Sequence, residues 1–362
     1  MGSRLVVAAV LAASLVVPGC ALAQAPSLAP SIAPVAVPSP AGSPLAPAAP
    51  DASPVPDTSL TPAADPEETS VAGLPRGTIR LMAVGDVMLG RSIGKRIRTD
   101  GPGIVFGRVQ RVLDRADLLV VNLECAITTS RDREDKHYTF KAPPVSVDAL
   151  ALAGVDMASI ANNHAGDWGD QGLLDTLRHL AHRGIATAGA GRNRAEARAP
   201  VIVRRNGLSV AFLGYVDAFT ESTGFNTKEW KAGPGRPGLA LASTEAIRAD
   251  VAAATSVADV VVVMIHAGYE YAPSPNAEQR RYARAALAAG ATLVLGHHPH
   301  VLQGWTRKGS RLIHWSLGNF VFDRMGGASD TEILALDLSA DGVSDVRTIP
   351  VRIVDGFPTL VS

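Results

Sequence analysis

The chain has 362 residues, room for one large domain or two ordinary ones. Lys plus Arg and Asp plus Glu number 34 each, so the formal charge is zero with histidine neutral. That balance argues against a nucleic-acid-binding tract and against a polybasic membrane patch, so partners must be sought in a localised site.

Met1 to Gln24 reads as an export signal: Arg4 supplies a positive start, Leu5 to Val17 is almost wholly apolar, and small residues follow. The apolar stretch is too short for a permanent membrane span, and no later segment offers ~20 uninterrupted apolar residues. The mature protein is therefore expected outside the cytoplasm, in the cell envelope. Two processing routes are open. Val17-Pro18-Gly19-Cys20 resembles a bacterial lipoprotein box, which makes Cys20 a lipid-anchored N-terminus; Ala21-Leu22-Ala23 instead fits ordinary A-x-A cleavage and a secreted product. The lipoprotein route is the preferred reading. Cys20 and Cys125 are the only cysteines, so either route leaves one thiol and no intramolecular disulfide.

Residues 25–76 are dominated by Pro, Ala, Ser and Val. Such a chain cannot bury enough surface to offset its ordering entropy, and its prolines favour extended conformations. A disordered spacer is expected, suited to holding a domain away from a membrane or through a wall.

At Gly77 the texture changes, and one domain is expected from there to Pro358. Apolar runs TIRLMAV, DLLVV, VDMASI, DVVVVMI and ATLVLG alternate with helical patterns, as βα repeats around a buried sheet do. A helix is predicted from about Trp168 to Arg183, with Leu173, Leu174, Leu177 and Leu180 on one face and Gly184 as its stop. Asn206-Gly207 between VIVRR and LSVAFLG predicts a hairpin through a type I′ turn. Lys308-Gly309 and Asp341-Gly342 repeat that signal more weakly, so the architecture is α/β, two packed mixed sheets flanked by helices.

Polar signatures close the apolar runs. Gly85-Asp86 follows LMAV, Asn122-Leu123-Glu124 follows LLVV, Asn162-Asn163-His164 comes after MASI, His266 ends VVVMI, and His297-His298-Pro299-His300 follows TLVLG. Acidic, amide and imidazole groups at successive strand ends can converge on one rim of a sheet, where open α/β folds place their sites. The pattern predicts a metal site.

Gly85 and Gly90 are read as allowing tight turns around Asp86. Glu124, directly after a buried strand, needs a partner if it is desolvated. Asn oxygen and His nitrogen suit borderline divalent metals, and His164 can alternatively donate a proton to a leaving group. Glu270 lies close enough in sequence to orient His266. If the histidine segment is extended, His298 and His300 share a side and are favoured over His297. His179 and His182 sit on the predicted helix, and His137 and His314 are isolated, so none of the four is assigned to the site.

These ordered motifs resemble the bacterial capsule-synthesis CapA (poly-γ-glutamate synthesis protein) family, a branch of the calcineurin-like metallophosphoesterase superfamily. The resemblance covers about Thr78 to Asp323 and rests on GDVMLGR, VNLECAIT, YTFKAPP, IANNHAGDWGDQGLLDTL, GAGRNRAEARAP, HAGYEY, GHHPHVLQG and SLGNFVFD. It implies a four-layer α/β/β/α metallophosphoesterase-like fold with one or two divalent ions, Mn, Zn, Mg or Fe not being distinguished. It also implies Asp86, Glu124, Asn163, His266, His298 and His300 as ligands, with His164 as general acid or leaving-group stabiliser. Lys141 and Arg91 are candidate anion-binding residues. The superfamily's first motif is usually Asp-x-His, where this chain has Asp86-Val87-Met88, and Glu124 stands for the customary Asp of the second. One tightly held ion, or an altered pair, fits those departures.

Two functions follow as expectations. In the first, the protein serves synthesis, export or attachment of an anionic surface polymer such as poly-γ-glutamate, with a membrane capsule-synthesis complex as partner. The alternative is a secreted metal-dependent phosphoesterase, a hydrolase of envelope or extracellular phosphate esters.

Overall fold

Thr78–Val87 is the strand around which the layers are organised, and its alternation explains them. Ile79, Leu81 and Ala83 join a core with Phe212, Met264 and Leu295, while Met82 and Val84 join a second core with Ile93 and Leu173. The computed structural model describes residues 74–220, 223–323 and 329–361. The export segment expected at 1–24, with Cys20, and nearly all of the spacer expected at 25–76 lie outside the described residues.

The larger sheet runs in the order Phe357–Leu360, Gly342–Val354, Asp330–Ser339, Thr78–Val87, Leu118–Leu123, Val155–Ser159, Ala186–Ala188. Asn319–Val321 adds in parallel to the end of Thr78–Val87. Pairs from Thr78–Val87 to Ala186–Ala188 are parallel, and those on the other side are antiparallel. The second sheet runs Leu302–Lys308, Arg311–Leu317, Leu293–His297, Val260–His266, Leu208–Val216, Val201–Arg205. Its four inner strands are parallel, and each edge strand is antiparallel.

The sheets bury their facing residues against one another, each buried Leu or Val contributing about 1.5–3 kcal/mol. Outside the first sheet lie the helices Arg91–Asp100, Val147–Leu152 and Gly169–His182. Outside the second, Thr244–Ala254 and Ala277–Ala289 cover Leu213, Tyr215, Val263 and Ile265. The arrangement is thus the expected α/β/β/α sandwich with two mixed sheets. Among the described residues, no helix is long and apolar enough to cross a membrane.

Local signals act as their chemistry dictates. Gly184 at φ 72° ends the Gly169–His182 helix, its amide donating to the Ala181 carbonyl at 3.0 Å. Asn206 and Gly207 both take positive φ, 46° and 79°, as a type I′ turn requires. The other two hairpins differ from expectation: Lys308 pairs with Arg311, so Gly309 and Ser310 make that turn, and Ser339 pairs with Gly342, so Ala340 and Asp341 make the third. Cys125 is buried with its Sγ accepting from the Leu89 amide, and burial pushes the thiol up to about 12, so it stays protonated.

The glycines beside Asp86 act by a different route from the tight turns expected of them. Neither Gly85 nor Gly90 has positive φ. A Cβ on Gly85 would lie 2.1 Å from the Gly318 carbonyl oxygen, and one on Gly296 would lie 2.0 Å from that of Trp315. Close backbone approach is what demands glycine at both positions, each immediately before a rim residue. Gly85→Ala and Gly296→Ala are each expected to destabilise the fold by about 3 kcal/mol in urea titrations. Gly103→Ala, whose added methyl meets nothing within 4 Å, should stay within about 0.5 kcal/mol; equal stability of all three would refute the packing argument.

Candidate metal centre

Five strand ends deliver the polar rim. Asp86 lies near the end of Thr78–Val87, Asn122 near the end of Leu118–Leu123, and Glu124 one residue beyond it. Asn162, Asn163 and His164 follow Val155–Ser159; His266 and His297 are the last residues of their strands in the second sheet. All are buried, as are His298 and His300. The two sheets therefore both contribute to one site, whose two halves each draw residues from both.

In the first half, Asp86 Oδ1 accepts from Asn122 Nδ2 at 2.8 Å and lies 3.1 Å from His297 Nδ1. Asp86 Oδ2 is 3.2 Å from His300 Nδ1, and His300 Nε2 is 3.7 Å from Glu124 Oε1. One ligand atom from each of Asp86, Glu124 and His300 falls within 4.8 Å of the others, a group that could hold a metal ion. In the second half, His266 Nε2 lies 2.8 Å from Asn163 Oδ1 and 3.2 Å from His298 Nδ1. Asn122 Nδ2, 3.4 Å from His266 Nδ1, joins the halves.

Burial acts on every group here, and neighbours decide which way each moves. It pushes Glu124 well above the usual carboxylate range, with the Asp86 charge adding to the effect. Burial also opposes ionisation of Asp86, but hydrogen bonds and charge from His297 and His300 outweigh it and hold Asp86 well below. His298 is lowered by burial and by His300 to about 3, and His266 is likewise held well below its ordinary value by burial and His298. For His300 the order reverses: Asp86 overcomes burial and raises it. Without a metal, burial and neighbouring charges favour the protonated forms of Glu124 and His300 and the neutral forms of His266 and His298.

His164 stands beside these groups. Its Nδ1 is 2.7 Å from Asp167 Oδ2, and its ring stacks on Phe140 with centroids 3.8 Å apart. Burial and the Lys136 charge lower it well below the ordinary histidine value, so at neutral pH it is an uncharged imidazole. In that state its Nε2 can accept a proton; it becomes a donor only after protonation.

A cleft of about 540 Å³ opens over Asn163, His164 and His298, walled by Tyr138, Phe219 and Glu270. The anion-binding candidates are not brought into it. Lys141 Nζ donates to the Ser130 carbonyl at 3.0 Å and packs 3.5 Å over the Trp168 ring. Arg91 pairs with Asp323 at 3.5 Å and stacks on Phe140 at 4.4 Å. Glu270 does not orient His266, whose partners are Asn122, Asn163 and His298. His314 is buried against Glu332 at 2.7 Å, away from the rim, and His137 stands in the cleft wall.

The histidine loop departs from an extended segment. His298 and His300 have φ of 97° and 59°, so the chain turns and alternation does not apply. His297 consequently also faces Asp86. Sequence reasoning missed three residues: Asp167, legible only as a carboxylate three positions after His164; Lys136, beside Asp167; and Asn319, whose Oδ1 is 2.9 Å from His300 Nδ1.

The donor set fits a divalent cation. Two carboxylates buried together are costly unless a cation or proton compensates, and among the described residues Glu124 Oε1 meets no hydrogen-bond donor. Two outcomes follow. Mn²⁺ or Zn²⁺ at about 100 times its Kd should stabilise the full chain by about 2.7 kcal/mol. Glu124→Gln should remove that response yet leave the metal-free protein about 1–3 kcal/mol more stable near neutral pH, because the amide is buried neutral without the proton uptake that burial imposes on the carboxyl. The pH dependence has a definite sign: Glu124 and His300 are both raised, so each holds its proton to higher pH than when unfolded, and an entering cation must displace it. Calorimetry should show proton release on binding, with affinity falling from pH 8 to pH 6; proton-independent binding would contradict this assignment.

The family model described as "Bacterial capsule synthesis protein PGA_cap" matches residues 80–324. A "PGA biosynthesis protein CapA" of Bacillus subtilis (strain 168) is 33% identical over 282 residues, 77% of this chain and 72% of that protein. A "Capsule biosynthesis protein CapA" of Bacillus anthracis is 31% identical over 293 residues, 78% and 70% of the two chains. A "Probable polyglutamine synthesis accessory protein" of Mycobacterium tuberculosis is 31% identical over 273 residues, 64% and 70%. Because the match runs from the first strand of the large sheet to the end of the last rim motif, this chain belongs to the bacterial capsule synthesis PGA_cap family.

Proposed function

We propose that this protein acts in the assembly, export or attachment of a poly-γ-glutamate type of surface polymer, through a divalent-metal centre in the cell envelope. The observation that carries this reading is the relationship to the two Bacillus CapA proteins across 77% and 78% of the chain. Asp86, Glu124 and His300 would hold one ion, and Asn163, His266 and His298 are grouped to hold a second. Such an ion supplies Lewis acidity toward a phosphoryl or acyl oxygen.

The chain's own residues do the rest. Asn122 holds Asp86 and reaches toward both Glu124 and His266, keeping the two halves in register. Phe219, its ring tilted against His298 with centroids 4.1 Å apart, shields that imidazole from water. His164 takes a proton at Nε2 and returns it, while Asp167 steadies its other nitrogen.

A phosphoesterase is the second reading, favoured by one feature of the cleft. Among the described residues, no lysine or arginine lines it, whereas Asp217, Glu270 and Glu278 do. A polyanion entering it depends on bound cations for attraction, and a single ester group makes a smaller demand.

Deleting the gene in its host is expected to abolish the surface-bound γ-linked glutamate polymer. The wild-type gene should restore it, and a Glu124→Gln gene should not; undiminished polymer in the deletion strain counts decisively against the first reading. With Mn²⁺, Zn²⁺ or Mg²⁺ and a panel of phosphodiesters, the second reading requires turnover that drops by about 100-fold or more in His298→Ala. The envelope location is tested separately: Cys20→Ala should move the protein from the membrane fraction to the medium or periplasm. Continued membrane retention of that variant would remove the lipid-anchor reading.

A further inference from the structure

The Lys136 side chain is wholly buried, yet the metal rim does not account for it. An ammonium taken out of water costs several kcal/mol unless it is paired and hydrogen-bonded. Lys136 Nζ donates to Asp167 Oδ1 at 2.6 Å and to the main-chain carbonyl of Asn163. It also lies 4.7 Å from the Trp230 ring centroid and 5.6 Å from that of Phe225. These two oxygens belong to the ends of one five-residue segment, 163–167, which carries both Asn163 and His164. One cation thus ties down the segment that presents them to the cleft.

The hydrogen bonds then assign the imidazole. Asp167 Oδ2 accepts from the Phe140 amide at 2.6 Å and faces His164 Nδ1 at 2.7 Å. Burial raises Asp167 to about 7, against which the ammonium on one oxygen and the amide on the other favour the carboxylate, an acceptor on both sides. The hydrogen of the Asp167–His164 contact therefore belongs to Nδ1, and Nε2 is left as the lone-pair nitrogen. The stacked Phe140 ring fixes the imidazole plane.

We propose that Lys136 is a positioning residue: by holding Asp167 as an acceptor, it sets His164 in the Nδ1–H tautomer with Nε2 available to the cleft. This rests on the reading of the rim as a reaction centre, but the arrangement itself can be measured without any turnover. A lysine that merely tethered the segment would hold its backbone and leave the tautomer indifferent.

The test is two-bond proton–nitrogen correlation NMR on the ¹⁵N-labelled full chain, with the His164 signals assigned by their loss in His164→Gln. Wild type should show the Nδ1–H tautomer. Lys136→Met should shift His164 substantially to Nε2–H, because the carboxyl, without its ammonium, takes up one proton from solvent and donates it to Nδ1 while the imidazole carries its own hydrogen on Nε2, and Lys136→Arg should restore Nδ1–H. Full retention of Nδ1–H in folded Lys136→Met would overturn the proposal, as would an Nε2–H tautomer in wild type, a measurement that survives any failure of the variant to fold. If an ester is turned over, kcat in Lys136→Met should fall by about 10–100-fold with KM little changed. A tautomer that depends on Lys136 in a protein that hydrolyses nothing would uphold the positioning and sink the hydrolytic reading alone.

Discussion

Two carboxylates, Asp86 and Glu124, are buried at the same rim, and the surrounding architecture can be understood as the means of tolerating them. Like charges out of water repel strongly, so one must be protonated or a cation must lie between or beside them. In the metal-free protein the two are pushed opposite ways: two histidines favour the ionised form of Asp86, and burial beside that charge favours the protonated form of Glu124. The same division marks where a divalent ion fits. It also explains the ring of imidazoles and amides, because each rim carboxylate has a donor or imidazole beside it.

That rim exists only because two sheets meet with their parallel strands ending together. Asp86, Asn122 and Glu124 come from one sheet and His266, His297, His298 and His300 from the other, joined by contacts such as Asn122 to His266. Glycines at 85 and 296 let backbones approach until an added methyl would collide with a carbonyl. The packing that stabilises the sandwich is thus also what sets the spacing of the site, so loss of either glycine disturbs both.

The cleft above the rim combines exposed aromatic rings and carboxylates, with its cations supplied from beneath or held elsewhere. Lys141 and Arg91 spend their charge on a carbonyl, an aspartate and aromatic faces. Lys136 is enclosed behind His164. Attraction for an anionic group would therefore be concentrated at the rim, where Asp86, Glu124 and His300 could hold a cation.

Much of this was legible in the sequence by itself. Buried runs such as DVVVVMI and the Asn206-Gly207 turn determined strands and a hairpin, because side-chain alternation and positive φ are local demands. The polar residues closing each run marked the rim, since strand ends are where a sheet exposes its chemistry. Tertiary structure alone decided how those residues divide. The turn through His298 and His300 brought His297 onto Asp86, close backbone approach rather than turning explained Gly85, and packing diverted Lys141 and Arg91 from the cleft. Asp167 and Lys136 acquired their roles in the same way. Local sequence states which chemistry a residue carries, but its partner is chosen by long-range packing, which brings together groups 27 to 212 positions apart along the chain.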